Sequence, residues 1–147
     1  YDSVNEIRLK LNPKHISNTN LKKGFENVMK LMKDMDAYLV PTISAGEHVA
    51  KMAKIPGFYP EIIIPKAIEI GIQNKRTTGE AYKMGVPISF GTDAGVFPHG
   101  ENAGEFIYMS EVGIPSDYIL QSATITNAKL LDMPRIITEE DFTNLIS

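Results

Sequence analysis

Apolar residues first recur at helical spacing: Leu21, Phe25, Val28, Met32 and Met35 follow one another at steps of four, three, four and three. That spacing sets them on one face of a helix, with Asn20 as its N-cap, packed on a sheet. Tyr38-Leu-Val-Pro41-Thr42-Ile43 reads as a buried strand whose pairing stops near Pro41, with Ser44-Ala-Gly46 as its exit loop. Residues 46–58 fit no single element, although Pro56-Gly57 marks a turn. Tyr59 to Gly85 reads as a long helix carrying Ile64, Ala67, Ile68, Ile72, Ala81 and Met84, irregular at Thr77-Thr78-Gly79 and closed by Gly85.

Val86 to Phe90 is the next expected strand, followed by a loop from Gly91 to Asn102 and a short helix, Ala103 to Val112, ended by Gly113 and Pro115. Asn102 is the expected N-cap of that helix, and Glu105 stands at capping-box spacing from it. Ser116 then caps a helix from Asp117 to Leu131, with Ile119, Leu120, Ala123, Leu130 and Leu131 as its inner face. The first twenty residues are polar and hold at most one strand, around Ile7, Leu9 and Leu11. A small helix from Thr138 is expected in the tail. Repeated βα units with short exit loops predict an α/β fold with a parallel sheet or barrel, and the whole chain, 1–147, as one domain.

Composition narrows the function classes. The chain is 43% hydrophobic and 22% charged, with a net charge of -3. Its densest basic spots are the pairs Lys22-Lys23 and Lys75-Arg76, which argues against a nucleic-acid partner, because phosphate binding needs clustered cations. The longest apolar runs, such as Ile62 to Ile64, are too short to cross a membrane, and residues 1–6 lack signal-peptide order, so a cytoplasmic protein is expected. The start at Tyr1 suggests a partial product. No cysteine is present, and neither a Gly-x-Ser-x-Gly nucleophile motif nor a phosphate-cradling glycine loop occurs.

The strongest candidate for chemistry is Asp93. A carboxylate directly after a buried strand and a Gly-Thr pair, where neighbouring parallel strands converge, can bind a divalent metal or accept a proton. Asp-Ala-Gly is equally good turn chemistry. Thr92 would orient the carboxylate or bond to the loop backbone. His99, in a Pro-His-Gly turn six residues on, could donate to a substrate carboxylate or carbonyl, or be merely solvated. His48 is at best a candidate for a pocket wall, and otherwise a solvated surface residue. The three histidines are His15, His48 and His99, and none stands at the His-x-His or His-Glu-x-x-His spacing that places two nitrogens on one metal.

The run Gly85-Val-Pro-Ile-Ser-Phe-Gly91-Thr-Asp93-Ala-Gly95-Val-Phe-Pro-His99-Gly100-Glu-Asn102-Ala, followed by Glu105-Phe, Gly113 and Leu120-Gln-Ser-Ala-Thr124-Ile-Thr-Asn-Ala128-Lys-Leu-Leu, closely resembles the C-terminal barrel portion of the amidohydrolase superfamily. The branch it resembles contains imidazolonepropionase-related enzymes and Xaa-Pro dipeptidases. Tyr38-Leu-Val-Pro-Thr42 is similar to that branch's seventh strand, so the likeness covers roughly residues 21–133. The resemblance implies part of a (β/α)8 barrel, about strands six to eight with their helices, and a metal-activated water that hydrolyses an amide bond. Asp93 maps to the family's aspartate after the eighth strand, a metal contact and proton shuttle. His99 falls on a loop histidine of the branch, and His99 and Thr42 are the implied substrate contacts. The implied cofactor is a divalent metal, zinc, and the implied substrate a small molecule or dipeptide.

Where the family's sixth-strand histidine would stand, this chain has Ile16-Ser-Asn18-Thr-Asn20, and strands one to five have no counterpart. Two readings follow. The chain is a portion of a metal-dependent amidohydrolase whose other ligands lie elsewhere, or a non-catalytic, self-associating remnant, a homo-oligomer that covers its open sheet edges.

Overall fold

A computed structural model of the chain describes residues 18–133. The strand expected around Ile7 and the tail helix expected from Thr138 lie outside the described residues. Helix α1 (Asn18–Asp34) forms where helical spacing predicts it. The stripe that packs on the core is Phe25, Met29 and Met32, at i, i+4 and i+7. Val28 and Met35, expected on the same face, are exposed. Both sets satisfy helical periodicity, and the position of the core selects the one that contains Met29.

Beyond α1 the chain extends through residues 38–41, and again through 86–90, and the two segments pair in parallel at one bridge, Leu39 with Ile88. Leu39 N–H donates to Pro87 O at 2.8 Å, and Ser89 N–H donates to Leu39 O at 2.9 Å. The next rungs of a parallel ladder would need the N–H of residue 41 on one side and of residue 87 on the other. Both are prolines and have none. The two expected strands are therefore corrected to a single bridge in a set of helices. Their parallel direction agrees with the expected α/β order, but the described residues do not by themselves build barrel strands.

The loop expected at Ser44-Ala-Gly46 is instead the first turn of helix α2 (Ile43–Met52). A long-range hydrogen-bond acceptor described below holds its N-terminal N–H groups. Helix α3 (Ile64–Lys83) has proline in its first turn, where the absent N–H costs nothing. It meets α2 at Gly71, where a Cβ would run into Ala50 and Gly46; Ala67, Thr78, Gly79 and Ala81 are also buried, whereas the expected inner residue Ile72 is 67% exposed. Close approach of two helices excludes a large side chain from the line of contact. The expected irregularity at Thr77-Thr78-Gly79 is continuous helix, and Thr78 Oγ1 bonds back to Asn74 O at 2.8 Å. Gly85 ends it as expected, at φ 79, with Val86 N–H closing onto Ala81 O at 3.1 Å.

Helix α4 (Gly104–Glu111) leads into α5 (Ser116–Gln121), a π-helical turn (Ser122–Thr126) and α6 (Asn127–Leu130). The cap of α5 is Pro115 and not Ser116, which is already helical. Of the expected inner face, Ile119 is buried, while Leu120, Leu130 and Leu131 are exposed. Leu120 already faces away from the core within α5, and beyond it the wider π turn changes the angular step between residues, so the rest of a stripe counted at constant helical period drifts off the core. The core gathers Met29, Ile43, Ala81, Val86, Ile88, Met109, Ile114 and Ile119. No helix among the described residues is long and apolar enough to cross a membrane.

Candidate functional site

Each extended segment is followed by a non-glycine residue with left-handed backbone: Thr42 directly, at φ 46, and Asp93 three residues on from Phe90, at φ 53. For a β-branched threonine this conformation is strained, and it persists only where surrounding bonds hold it. Asn74 of α3 supplies two of them, its Nδ2 donating to Pro41 O at 3.0 Å and Thr42 O at 3.2 Å. The two segment ends touch at Gly91, where a Cβ would overlap Val40 Cγ1 and lie 3.9 Å from Thr42 Cγ2. The structure thus brings Thr42 and the Gly91–Asp93 turn together.

The loop after Asp93 is fastened at several points. Val96 N–H bonds Asp93 O at 3.2 Å, and Phe97 is buried between exposed Val96 and Pro98. Asn102 Oδ1 accepts from Gly100 N–H at 3.1 Å, and its Nδ2 donates to Thr92 Oγ1 at 3.2 Å. Asn102 is therefore a brace within the loop. The cap position of α4 belongs to Ala103, which makes no side-chain capping bond. Asp93 and His99 are both exposed, Thr42 is half-buried, and His99 sits on the outer turn of the loop.

Glu105, expected to complete a capping box at its own helix, serves a different one. It is fully buried. Its Oε1 accepts from Ile43 N–H at 2.9 Å, and its Oε2 from Ser44 N–H at 2.7 Å and Ser44 Oγ at 2.6 Å. The carboxylate thus satisfies the free N–H groups at the start of α2, where a helix also favours negative charge. The local sequence pattern missed this role. The signal that could have found it is that Glu105 stands i, i+4 from Met109, on the buried face of α4.

The far edge of the Asp93 segment is backed by the terminal helices. Ile88 N–H donates to Tyr118 Oη at 3.1 Å, Phe90 N–H to Ser122 O at 3.2 Å, and Asn127 Nδ2 to Phe90 O at 2.9 Å. Ser89 Oγ also bonds Asn127 Oδ1. No local pattern marks Asn127 for this role, because its partners lie 37 and 38 residues away.

A cavity of about 260 Å³ opens between α2 and the loop, lined in part by His48, Phe97, Glu101 and Tyr108. His48 thus lines a pocket wall, half-buried and not simply solvated, its ring 6.1 Å from that of Phe97. Beside the cavity Lys75 joins three helices, with Nζ 2.9 Å from Glu111, 3.3 Å from Glu47 and 4.8 Å from the Tyr108 ring centre. Burial works against the Lys75 charge, but the hydrogen bonds and attraction of Glu111 and Glu47 outweigh it and hold the pKa above the ordinary 10.5. A raised lysine pKa stabilises the fold below the unfolded value, and the gain is lost as pH rises through the folded value. The stability difference between the parent and Lys75→Met, read from urea midpoints, should hold steady from neutral pH to about 10 and shrink above it.

Among the described residues, no three histidine, aspartate or glutamate side chains gather where they could hold a metal ion. These residues do not by themselves fit a metal centre.

Comparison with known proteins adds three findings. Residues 5–136 match the model of the Amidohydrolase family. A Xaa-Pro dipeptidase crystallised with methionine bound in its active site is similar, with a TM-score of 0.69 and 52% identity over 73% of this chain and 26% of that one. The chain thus spans about a quarter of that protein's length. No curated protein matches.

Proposed function

This chain belongs to the amidohydrolase family, and from that premise we propose that it carries the carboxylate portion of a hydrolase site that cleaves a peptide-like or cyclic amide C–N bond. The observation that carries the reading is the left-handed Asp93 shortly after a parallel segment, two residues beyond Gly91, which packs against Val40 and Thr42 of the neighbouring segment. As the water oxygen bonds to the amide carbon, Asp93 takes its proton. It returns the proton to the leaving nitrogen when the C–N bond breaks. Thr42 and His99 contact the substrate on either side, His99 as a donor to its carboxylate or carbonyl. Asp93 would also be one ligand of a divalent metal, zinc, which would supply an activated water, with the remaining ligands from outside the described residues. The similarity to a Xaa-Pro dipeptidase favours a dipeptide or comparable small substrate.

A non-catalytic, self-associating domain is the second reading, favoured by the exposed Val28, Leu31 and Met35 along α1. Bound zinc and hydrolysis of Xaa-Pro dipeptides, measured on the purified chain and on Asp93→Ala, separate the two. The expected result is bound zinc that is lost in Asp93→Ala, with turnover only where the remaining ligands are supplied and none there in Asp93→Ala. Turnover that survives this change would overturn the role of Asp93. Neither metal nor turnover, in a chain that sediments as an oligomer, would favour the second reading.

A further inference from the structure

We infer that Glu105 is a positioning residue that sets the separation of the two halves of the site, the Thr42 turn and the loop that runs from Asp93 to His99. The inference rests on reading Thr42 and Asp93 as parts of one site. Glu105 lies on the first turn of α4, three residues after Asn102, and Asn102 holds Thr92 beside Asp93. Its carboxylate grips Ile43 and Ser44, the two residues after Thr42. Besides the Leu39–Ile88 bridge, a second path from Thr42 to the Asp93 loop therefore runs through one fully buried side chain that bridges 61 to 62 residues of sequence.

The geometry of the grip argues for a spacer and not only a helix cap. An N-cap needs one acceptor for one or two N–H groups and is ordinarily supplied by a short side chain in the same segment. Here both carboxylate oxygens are used, and the three donors fix the carboxylate in orientation as well as position. Thr42, which occupies the cap position itself, makes no side-chain capping bond and is turned into the left-handed region. A threonine capping its own helix would sit in extended backbone. Delegating the cap to Glu105 leaves the Thr42 side chain unused by the helix, and joins the turn that bears it to the loop that bears Asp93.

The chain has no cysteine, so a cysteine pair introduced at Lys51 on α2 and His99 on the loop, both exposed, can be spin-labelled without background. Pulsed electron–electron distance measurement should give one narrow distribution in the parent pair. In Glu105→Gln an amide N–H₂ faces the Ser44 N–H in place of an acceptor, and the distribution should broaden at least twofold or split. Ser44→Ala, which removes one of the three bonds, should broaden it less. A folded Glu105→Gln with the parent's narrow distribution overturns the inference. If Glu105→Gln does not fold, an unchanged distribution in Ser44→Ala overturns it. A role confined to capping α2 would lower the melting temperature and leave this distance unmoved. The measurement needs no turnover, so a chain that hydrolyses nothing can still pass or fail it.

Discussion

Glu105→Ala is expected to destabilise the fold by about 4 kcal/mol, the sum of several charge-assisted hydrogen bonds and the gap left by the side chain. Three donors lose their acceptor at once: the N–H groups of Ile43 and Ser44 and the Ser44 hydroxyl. Ile43 and Ser44 are themselves buried, so water does not readily replace the carboxylate. A typical domain is stable by only about 5–15 kcal/mol, so this change should leave a marginal protein. In urea the transition midpoint should fall sharply with an unchanged slope. A shift of less than about 1 kcal/mol would mean that water reaches the start of α2 when the carboxylate is gone.

Ile88→Ala should cost about 3 kcal/mol, within the range for removing a large aliphatic side chain from a close-packed interior. Ile88 is fully buried among Met29, Ile43, Val86, Met109 and Ile119. Its backbone is fixed on both sides, by the bridge to Leu39 and by the bond from its N–H to Tyr118, so the segment cannot easily collapse into the space. Ile62→Ala is the matched control. Ile62 is 88% exposed, and its loss should stay within about 0.5 kcal/mol. Equal losses at the two positions would show that the core is not centred on the segment that leads to Asp93.

Much of this organisation is legible along the chain, and the boundary of what is legible follows range of interaction. Helix α1 and the end of α3 at Gly85 obey local rules, because spacing and a glycine stop act within a few residues, whereas the start of α3 falls at Ile64 beside Pro65 and not at the expected Tyr59. The limit that Pro41 sets on strand pairing is local as well, since a missing N–H is a property of the residue itself. The matching limit from Pro87 depends on register, and register shows only once Leu39 faces Ile88. The same distinction applies to the site. Asp93 stands out from sequence because acid, glycine and strand end are adjacent in the chain.

The sequence by itself determined the family, the span of helix α1 and the glycine stop of α3. Only the tertiary structure decided that helix α2 begins at Ile43, that Glu105 caps it, and that Asn127 backs the Asp93 segment. Those three facts depend on groups 37 to 62 residues apart, and a carboxylate or amide reads as a local cap or a solvated surface group until folding places its partners within 3 Å of it. Hydrophobic spacing can state that a face is buried. It takes the packed structure to state which buried donors remain to be satisfied, and by which distant side chain.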